Sequence, residues 1–288
     1  MQLNALTKHR MTTLHIIILA CVQGLAELLP VSSSAHVILA EKWLGLDPTS
    51  PDMTLMLVML HTGTMFAVIA YFWRSWRQTY FSSTKALWNN GVLLAVATAA
   101  TGVVGLALLY VIKHAVMGSA DSFEVEHLFG NTRLMAVSLA VAGVLIIVSS
   151  RRASTAVEDL TGRRAFWVGA VQGLCLPFRG LSRSGATISS GMLLGVQRRR
   201  AEEFSFALAV VLTPAVIAKE GYRFFKAHAG ATDGLLHMLA PSLLGMVFSF
   251  IAGLLALRWL SRWLEQGRWY LFGCYCLIAS VVVWTFAG

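Results

Sequence analysis

The sequence has few charged residues and few cysteines, and each shortage narrows the class of protein. Only 13% of its 288 residues are charged, against about a quarter in a typical soluble domain. Because 57% are hydrophobic and the mean hydropathy is +0.67, the composition indicates an integral membrane protein. The four cysteines lie in apolar segments without metal-ligand spacing, which favours small buried thiols over disulfides or a metal centre.

Acidic residues are fewer than basic ones. The sequence has 14 Asp and Glu against 23 Lys and Arg, which gives a formal net charge of +9. A positive balance can indicate nucleic-acid binding, but here the basic residues stand in short loops between apolar runs. That distribution is typical of membrane orientation, so the sequence predicts no nucleic-acid partner.

Several apolar segments are long enough, or nearly so, to cross the hydrocarbon core, which takes about 20 residues. The six predicted spans are 53–73, 91–112, 132–150, 203–220, 238–257 and 269–287.

Two other apolar runs are interrupted by polar residues. The interrupted pairs are 13–29 with 35–46, which flank Pro30, and 165–176 with about 185–197, which flank Pro177. Each half is too short to span, and a polar break at membrane depth is tolerated only where protein or a wet cavity surrounds it. The pattern therefore predicts two re-entrant helix hairpins.

The predicted order is hairpin, three spans, hairpin, three spans. Because three is odd, the second half enters the membrane with inverted topology, as in transporters built from inverted repeats. The sequence thus predicts an all-α polytopic membrane protein with about six transmembrane helices plus two re-entrant helix hairpins in an inverted repeat. It forms one domain, 1–288, in which repeat one covers about 11–150, repeat two about 165–288, and a connector 151–164.

Loop charges predict the orientation, provided that each hairpin returns to its own side. One face then collects most of the basic residues, and the positive-inside rule makes it cytoplasmic. These residues are Arg74, Arg77, Lys85, Arg151, Arg152, Arg163, Arg164, Arg198, Arg199, Arg200, Arg258, Arg262 and Arg268. Both termini and the first hairpin open outward in this arrangement.

The first hairpin carries the stretch VQGLAELLPVSSSAH, residues 22–36. Gln23 and Glu27 are four apart and share one helix face. A carboxylate inside a membrane is costly and marks a site by default, although a structural bond to a neighbouring helix is the alternative.

Three serines and a histidine follow the break, namely Ser32, Ser33, Ser34 and His36. Serine favours helix N-caps, and capping explains one of the three well. A serine with a nearby histidine is also the minimum for nucleophilic attack with base assistance.

The second hairpin repeats the VQGL, the proline and the serines in VQGLCLPFRGLSRSGAT, residues 171–187. Arg183 inside an apolar region needs an anionic partner, for which Glu27 and a substrate phosphate are the candidates. Ser182, Ser184 and Thr187 stand where a helix begins, and a helix N-terminus favours anions.

A carboxylate, a hydroxyl, an imidazole and a guanidinium on facing broken helices suit phosphoryl transfer, which depends mostly on positioning and charge stabilisation. The alternative class is a membrane transporter or flippase for a lipid phosphate or a small anion, because inverted repeats with half-helices are transporter architecture.

The stretches QGLAELLPVSSSAH and LSRSGATISSGMLLG, with EFSFALAV after the second, resemble the bacterial undecaprenyl-diphosphate phosphatase (bacitracin-resistance) family over nearly the whole chain. The resemblance implies a hydrolase of the bacterial inner membrane, with its active site open to the periplasm. It would convert undecaprenyl diphosphate to undecaprenyl phosphate and inorganic phosphate, recycle this carrier lipid for cell-wall synthesis and confer bacitracin resistance.

The resemblance also implies roles for residues. Glu27 is the essential acid, Ser33 the nucleophile, His36 an acid/base and Arg183 the phosphate clamp. A divalent cation, Mg²⁺ or Ca²⁺, is expected, with Glu27 as its ligand. Substrate contacts are expected from Gln23, Ser32, Ser34, Ser182, Ser184 and Thr187. The expected partners are a polyprenyl diphosphate and membrane lipids, and a homodimer is left open.

Two departures from the family pattern stand out. Gln23 occupies a position where a second glutamate is frequent, which weakens a two-carboxylate metal site. The segment 177–180, PFRG, carries one extra residue before SRS, which predicts a reshaped phosphate loop.

Overall fold

The structure is a computed structural model that describes residues 11–46, 51–116, 132–152, 159–178, 180–227 and 232–285. The described part consists of α-helices joined by short turns. The ten helices are α1 Thr13–Leu28, α2 Ser33–Trp43, α3 Pro51–Thr79, α4 Thr84–Val111, α5 Thr132–Arg152, α6 Gly162–Cys175, α7 Arg183–Leu193, α8 Arg198–Ala227, α9 Thr232–Glu265 and α10 Tyr270–Thr285. A π-helical turn, Ile112–Val116, extends α4.

Five helices are long and apolar enough to cross a membrane. Their candidate spans are Met53–Thr79, Thr84–His114, Thr132–Arg152, Arg198–Tyr222 and Leu239–Glu265. The sixth predicted span, 269–287, corresponds to α10, which has 16 residues and is shorter than a usual spanning helix. Large apolar side chains such as Val103, Leu106 and Ile278 cover the outer faces. The chain is therefore an all-helical polytopic membrane protein.

The long helices extend beyond their predicted apolar segments at their polar ends. For example, α4 begins at Thr84 and not near 91, because the Ser83 hydroxyl caps it by accepting from the Ala86 N–H at 3.1 Å. Helix α8 runs from Arg198 to Ala227, on both sides of the predicted 203–220. Hydropathy marks the apolar centre of a helix, whereas capping residues decide where it begins.

The two predicted broken helices are confirmed. Helix α1 ends at Leu28, because Leu29 takes the extended conformation favoured before Pro30. Helix α2 begins after Ser32, which has φ +68° and is the one residue other than glycine with positive φ in the described part. In the second pair, the Ser182 hydroxyl caps α7 by accepting from the Gly185 N–H at 3.3 Å.

The helices of the two halves pack across each other. Helix α1 lies against α9, while its counterpart α6 lies against α4. The glycines of the two VQGL stretches allow both contacts. A Cβ on Gly24 would lie 2.7 Å from the Ser249 carbonyl oxygen, and a Cβ on Gly173 would lie 2.8 Å from that of Thr101. This crossing brings the two hairpins together at the centre.

One end of the helix bundle gathers basic residues. The Arg164 Nε donates to the Leu194 carbonyl at 2.9 Å, which joins the start of α6 to the end of α7. Arg200 donates to Asn90 and lies over the Tyr80 ring, 5.2 Å from its centre, which joins the start of α8 to the α3–α4 turn. The connector 151–164 ends at Arg164, within this group of contacts, and its residues 153–158 are outside the described part.

Candidate active site

The Glu27 carboxylate is the centre of a polar cluster between the two hairpins. Its Oε1 accepts from the Arg183 Nη2 at 2.9 Å, and its Oε2 accepts from the Ser33 hydroxyl at 2.6 Å. The Gln23 Nε2 donates to the same Oε2 at 3.4 Å, and the His61 Nε2 lies 3.8 Å from it. Residues from four helices and from both halves of the chain therefore meet at one carboxylate.

The Glu27–Arg183 ion pair is shielded from solvent but not sealed. The Glu27 side chain is 17% exposed and the Arg183 side chain 25%. In such surroundings an arginine needs a carboxylate or phosphate partner, and its planar guanidinium can bind either with two N–H groups. The Arg183 guanidinium can therefore exchange the Glu27 carboxylate for an incoming anion as its partner.

A cavity of about 270 Å³ lies beside this cluster. Its wall combines the polar start of α2, the polar start of α7 and side chains from α1, α3 and α6. The lining residues are Ala26, Glu27, Ser32, Ser33, Ser34, His61, Gln172, Cys175, Leu176, Phe178, Leu181, Ser182, Arg183 and Ser184. Because two helix N-termini face the same space, their peptide dipoles favour an anion there.

Serines support the loops that carry the cavity. The Ser184 hydroxyl donates to the Leu29 carbonyl at 3.3 Å and so joins the start of α7 to the first helix break. The Ser182 and Ser184 hydroxyls lie 3.4 Å apart. The Cys276 thiol, on α10, donates to the Pro30 carbonyl at 3.1 Å. These bonds hold both breaks in the orientation that exposes Ser33 and Arg183.

The predicted substrate-binding residues divide into three groups. Ser32, Ser34, Ser182 and Ser184 line the cavity. Gln23 is buried behind Glu27 and contacts it. Thr187 is outside the lining, because its hydroxyl bonds to the Ser205 hydroxyl at 2.6 Å and to the Arg183 carbonyl at 2.8 Å.

The structure does not bring His36 to Glu27. Its Nδ1 lies 2.8 Å from the Ser32 carbonyl oxygen, and its Nε2 lies 2.5 Å from the Tyr275 hydroxyl. Although residues three apart share a helix face, these two contacts hold the His36 ring away from Glu27. The imidazole at the cluster is that of His61, which the motif analysis missed. A histidine within an apolar span was the available signal.

Gln172 is a second residue that the sequence analysis left out. It is the counterpart of Gln23 in the repeated VQGL, and it lines the cavity. Its Nε2 donates to the Thr101 hydroxyl at 3.3 Å, while its buried Oε1 has no hydrogen-bond partner among the described residues.

The extra residue in the segment 177–180 falls next to the cavity. Phe178 forms part of the wall. A Cβ on Gly180 would lie 2.1 Å from the Met135 carbonyl oxygen, so only glycine allows this approach to α5. Arg179 is outside the described residues.

In the described part of the chain, Glu27 is the one protein carboxylate at the place where the sequence predicts a divalent cation, and this cation remains a prediction. Among the described residues no three His, Cys, Asp or Glu side chains come together in a way that could hold a metal ion. Arg183 already neutralises the one carboxylate, and Ser33 and Gln23 donate to it. Mg²⁺ and Ca²⁺ need several oxygen ligands, so a cation at Glu27 would need further oxygens such as those of a bound diphosphate.

The fold and the cluster define an intramembrane site for an anionic group, built from two broken helices. Residues 16–282 match the family described as bacitracin resistance protein BacA. The chain belongs to this family.

Several curated proteins are similar to this chain over nearly its whole length. The chain is 61% identical to undecaprenyl-diphosphatase 2 of Acinetobacter baylyi over 284 residues, which is 97% of this chain and 99% of the relative. It is 35% identical to undecaprenyl-diphosphatase of Desulfosudis oleivorans, covering 93% and 96% of the two chains. It is 32% identical to undecaprenyl-diphosphatase of Thermus thermophilus, covering 95% and 97%.

Proposed function

We propose that this chain hydrolyses undecaprenyl diphosphate to undecaprenyl phosphate and inorganic phosphate. The observation that carries the proposal is the Ser33 hydroxyl, 2.6 Å from the Glu27 carboxylate, beside Arg183 in a polar cavity. A nucleophile, a proton acceptor and a phosphate-binding guanidinium are the groups that phosphoryl transfer requires. The names of the relatives support the same activity.

The first chemical step follows from these contacts. The Arg183 guanidinium binds the diphosphate and no longer pairs with Glu27. Without this cation beside it, the Glu27 carboxylate accepts a proton more readily. The Ser33 oxygen then bonds to the terminal phosphorus while its proton passes to the Glu27 Oε2. The bond from that phosphorus to the bridging oxygen breaks, and the lipid phosphate leaves with the electron pair. The helix N-termini of α2 and α7 stabilise the charge on the transferring group.

The hydrophobic tail of the substrate belongs in the surrounding lipid. The cavity is far too small for a polyprenyl chain, and the outer faces of the helices are apolar. We infer that only the diphosphate enters, while the tail lies against the outside of the protein.

We place the protein in a bacterial inner membrane, with the cavity open to the periplasm. The support is the basic end of the helix bundle, which the positive-inside rule assigns to the cytoplasm. With that end inside, the start of α1 and the end of α2 lie on the periplasmic side, so the first hairpin is entered from there.

Phosphate release from purified protein in detergent tests the proposed activity. Wild type is expected to release inorganic phosphate from undecaprenyl diphosphate, and Glu27→Gln is expected to lose at least about 100-fold, the lower range for a positioned acid–base group. Glu265→Gln, at an exposed carboxylate on the end of α9, is the matched control and keeps the wild-type rate.

The same assay separates hydrolysis from transport. A transporter or flippase moves its ligand without releasing phosphate, so a folded wild type that releases none would contradict the proposal. Chelator and added Mg²⁺ or Ca²⁺ form a further arm, because cation dependence remains a prediction. Oligomeric state, including a homodimer, is measured on the same preparation by light scattering.

A further inference from the structure

His61 lies where the proposed reaction still needs a base. It stands on α3, lines the cavity, and places its Nε2 3.8 Å from the Glu27 Oε2. The lipid phosphate leaves as an anion, so Glu27 keeps the Ser33 proton after the first step, and a different group is then needed to take the proton of the water that follows. The inference therefore rests on the proposed function and concerns its second step.

Hydrogen bonding fixes which nitrogen of His61 is basic. Its Nδ1 lies 2.8 Å from the Leu57 carbonyl oxygen on the preceding turn of α3. A carbonyl oxygen can only accept, so the Nδ1 carries the hydrogen. In the neutral ring the Nε2 then holds the lone pair, and this nitrogen faces the cavity and Glu27.

The same argument removes His36 from proton transfer. Its Nδ1 donates to the Ser32 carbonyl oxygen at 2.8 Å, which leaves the Nε2 as the basic nitrogen. That nitrogen accepts from the Tyr275 hydroxyl at 2.5 Å, and the two rings stack with centres 5.8 Å apart. Both nitrogens are therefore engaged outside the cavity.

The exposure of His61 agrees with a role as a base. The His61 side chain is 39% exposed, and it lines the cavity together with Glu27, Arg183, the Cys175 thiol, hydroxyls, an amide and apolar side chains. Gln23 lies one helical turn before Glu27, and its amide cannot take up a proton at neutral pH. Among the described side chains that line the cavity, His61 is the one that turns a nitrogen lone pair toward it.

We propose that His61 is the general base for hydrolysis of the phosphorylated Ser33. Its Nε2 takes one proton from water as the water oxygen bonds to the phosphorus. The bond from phosphorus to the Ser33 oxygen breaks, and that oxygen recovers the proton held by Glu27. His61 then releases its proton to solvent, so inorganic phosphate leaves and every group returns to its starting state.

The test compares His61→Ala with His114→Ala in the purified full-length protein. His114 is exposed, and its Nδ1 lies 2.9 Å from the Tyr110 carbonyl oxygen, the same bond to the preceding turn that His61 makes. His61→Ala is expected to lower kcat for phosphate release by about 100-fold or more and to lower KM with it, because the phosphorylated protein accumulates, whereas His114→Ala keeps the wild-type rate.

Two further readouts distinguish a base from a structural residue. Imidazole added at tens of millimolar should restore part of the His61→Ala rate and none of the Glu27→Gln rate. Acid quenching with substrate labelled in the terminal phosphate should trap more phosphorylated protein in His61→Ala than in wild type.

Release by His61→Ala within about threefold of wild type would overturn the inference, as would a loss that imidazole does not restore. The proposed function is judged separately by wild type alone. If wild type releases phosphate and His61→Ala matches it, the hydrolase stands and the role of His61 falls.

Discussion

Glu27 accepts hydrogen bonds from three side chains, two of the first hairpin and one of the second. Arg183 holds one carboxylate oxygen, while Ser33 and Gln23 donate to the other. Charge-assisted bonds of this kind are about twice as strong as neutral ones, so they fix the position of the serine oxygen. At the scale of residues, the candidate site depends on this carboxylate more than on either histidine.

Replacement of Ser33 by alanine tests the covalent route. Ser33→Ala is expected to lower phosphate release by at least about 100-fold and to abolish the acid-stable phosphorylated protein, because the attacking oxygen is gone. Ser82→Ala, in the exposed turn before α4, is the matched control. Near-normal release by Ser33→Ala would instead show that water attacks the diphosphate directly.

Replacement of Tyr275 by phenylalanine tests whether His36 is a positioning residue. The ring stack is kept, and only the bond from the Tyr275 hydroxyl to the His36 Nε2 is lost. We expect a destabilisation of about 1 kcal/mol, the value of one hydrogen bond, and less than a tenfold drop in kcat. Thermal unfolding and phosphate release measure the two effects, and a drop in kcat as large as that of Ser33→Ala would assign His36 to the chemistry.

Sequence reasoning gave Glu27 as one of two candidate partners for Arg183, beside a substrate phosphate, because a charge inside a membrane needs a partner. It predicted that His36 would lie at the site, whereas the histidine near Glu27 in the structure is His61. Motif spacing places His36 near Ser33 along the chain, but the turn of α2 and the Tyr275 hydroxyl on α10 draw its ring away. His61 reaches the site only through the packing of α3, which local spacing does not describe.

The two broken helices are held by close contacts between helix backbones. Glycines at matching positions let α1 approach α9 and let α6 approach α4. Small residues are the usual means of close packing inside membranes, where the hydrophobic effect does not drive helices together. The positions of the two hairpins, and so of the site, depend on these glycines.

An alanine at Gly169 tests this dependence. Its Cβ would lie 2.1 Å from the Ala97 carbonyl oxygen, so α6 would have to move from α4. We expect a destabilisation of about 1 to 3 kcal/mol, typical of overpacking, with reduced activity. Gly102→Ala on α4 is the matched control, since nothing lies within 4 Å of its new Cβ. Equal melting temperatures of the two variants in detergent would contradict the account.

At the scale of elements, the sequence predicted the helices better than their partners. Pro30 and Pro177 mark the two breaks, and hydropathy marks the long helices. Which helix packs on which was open, because apolar residues surround membrane helices and give no single buried face. The repeated VQGL stretches held the relevant information, but only the structure shows that their glycines contact the opposite half.

The whole molecule is asymmetric in charge along the predicted membrane normal. Arg164 and Arg200 bind partners at the same end, where the α3–α4 turn, the start of α6 and the start of α8 meet. The order of helices repeats as two short helices followed by three further ones, but the inverted orientation of the second half remains a prediction.

Cysteine labelling tests the orientation. In a background without the four native cysteines, Ser82→Cys marks the basic end and Lys113→Cys the opposite end of α4. A membrane-impermeant maleimide on intact cells is expected to label the cysteine at 113, and to label that at 82 only after permeabilisation. The reverse pattern would place the cavity entrance on the cytoplasmic side.

The central claim is that both halves of the chain contribute to one site, and a double-mutant cycle at Glu27 and Arg183 tests it most directly. We would measure kcat/KM for undecaprenyl diphosphate in wild type, Glu27→Gln, Arg183→Gln and the double variant, with Arg199→Gln at an exposed arginine as the control. Residues that act as one unit are strongly non-additive, so the double variant should be no worse than the poorer single variant within about threefold. Losses that multiply would contradict the claim, because they would show two groups that act independently.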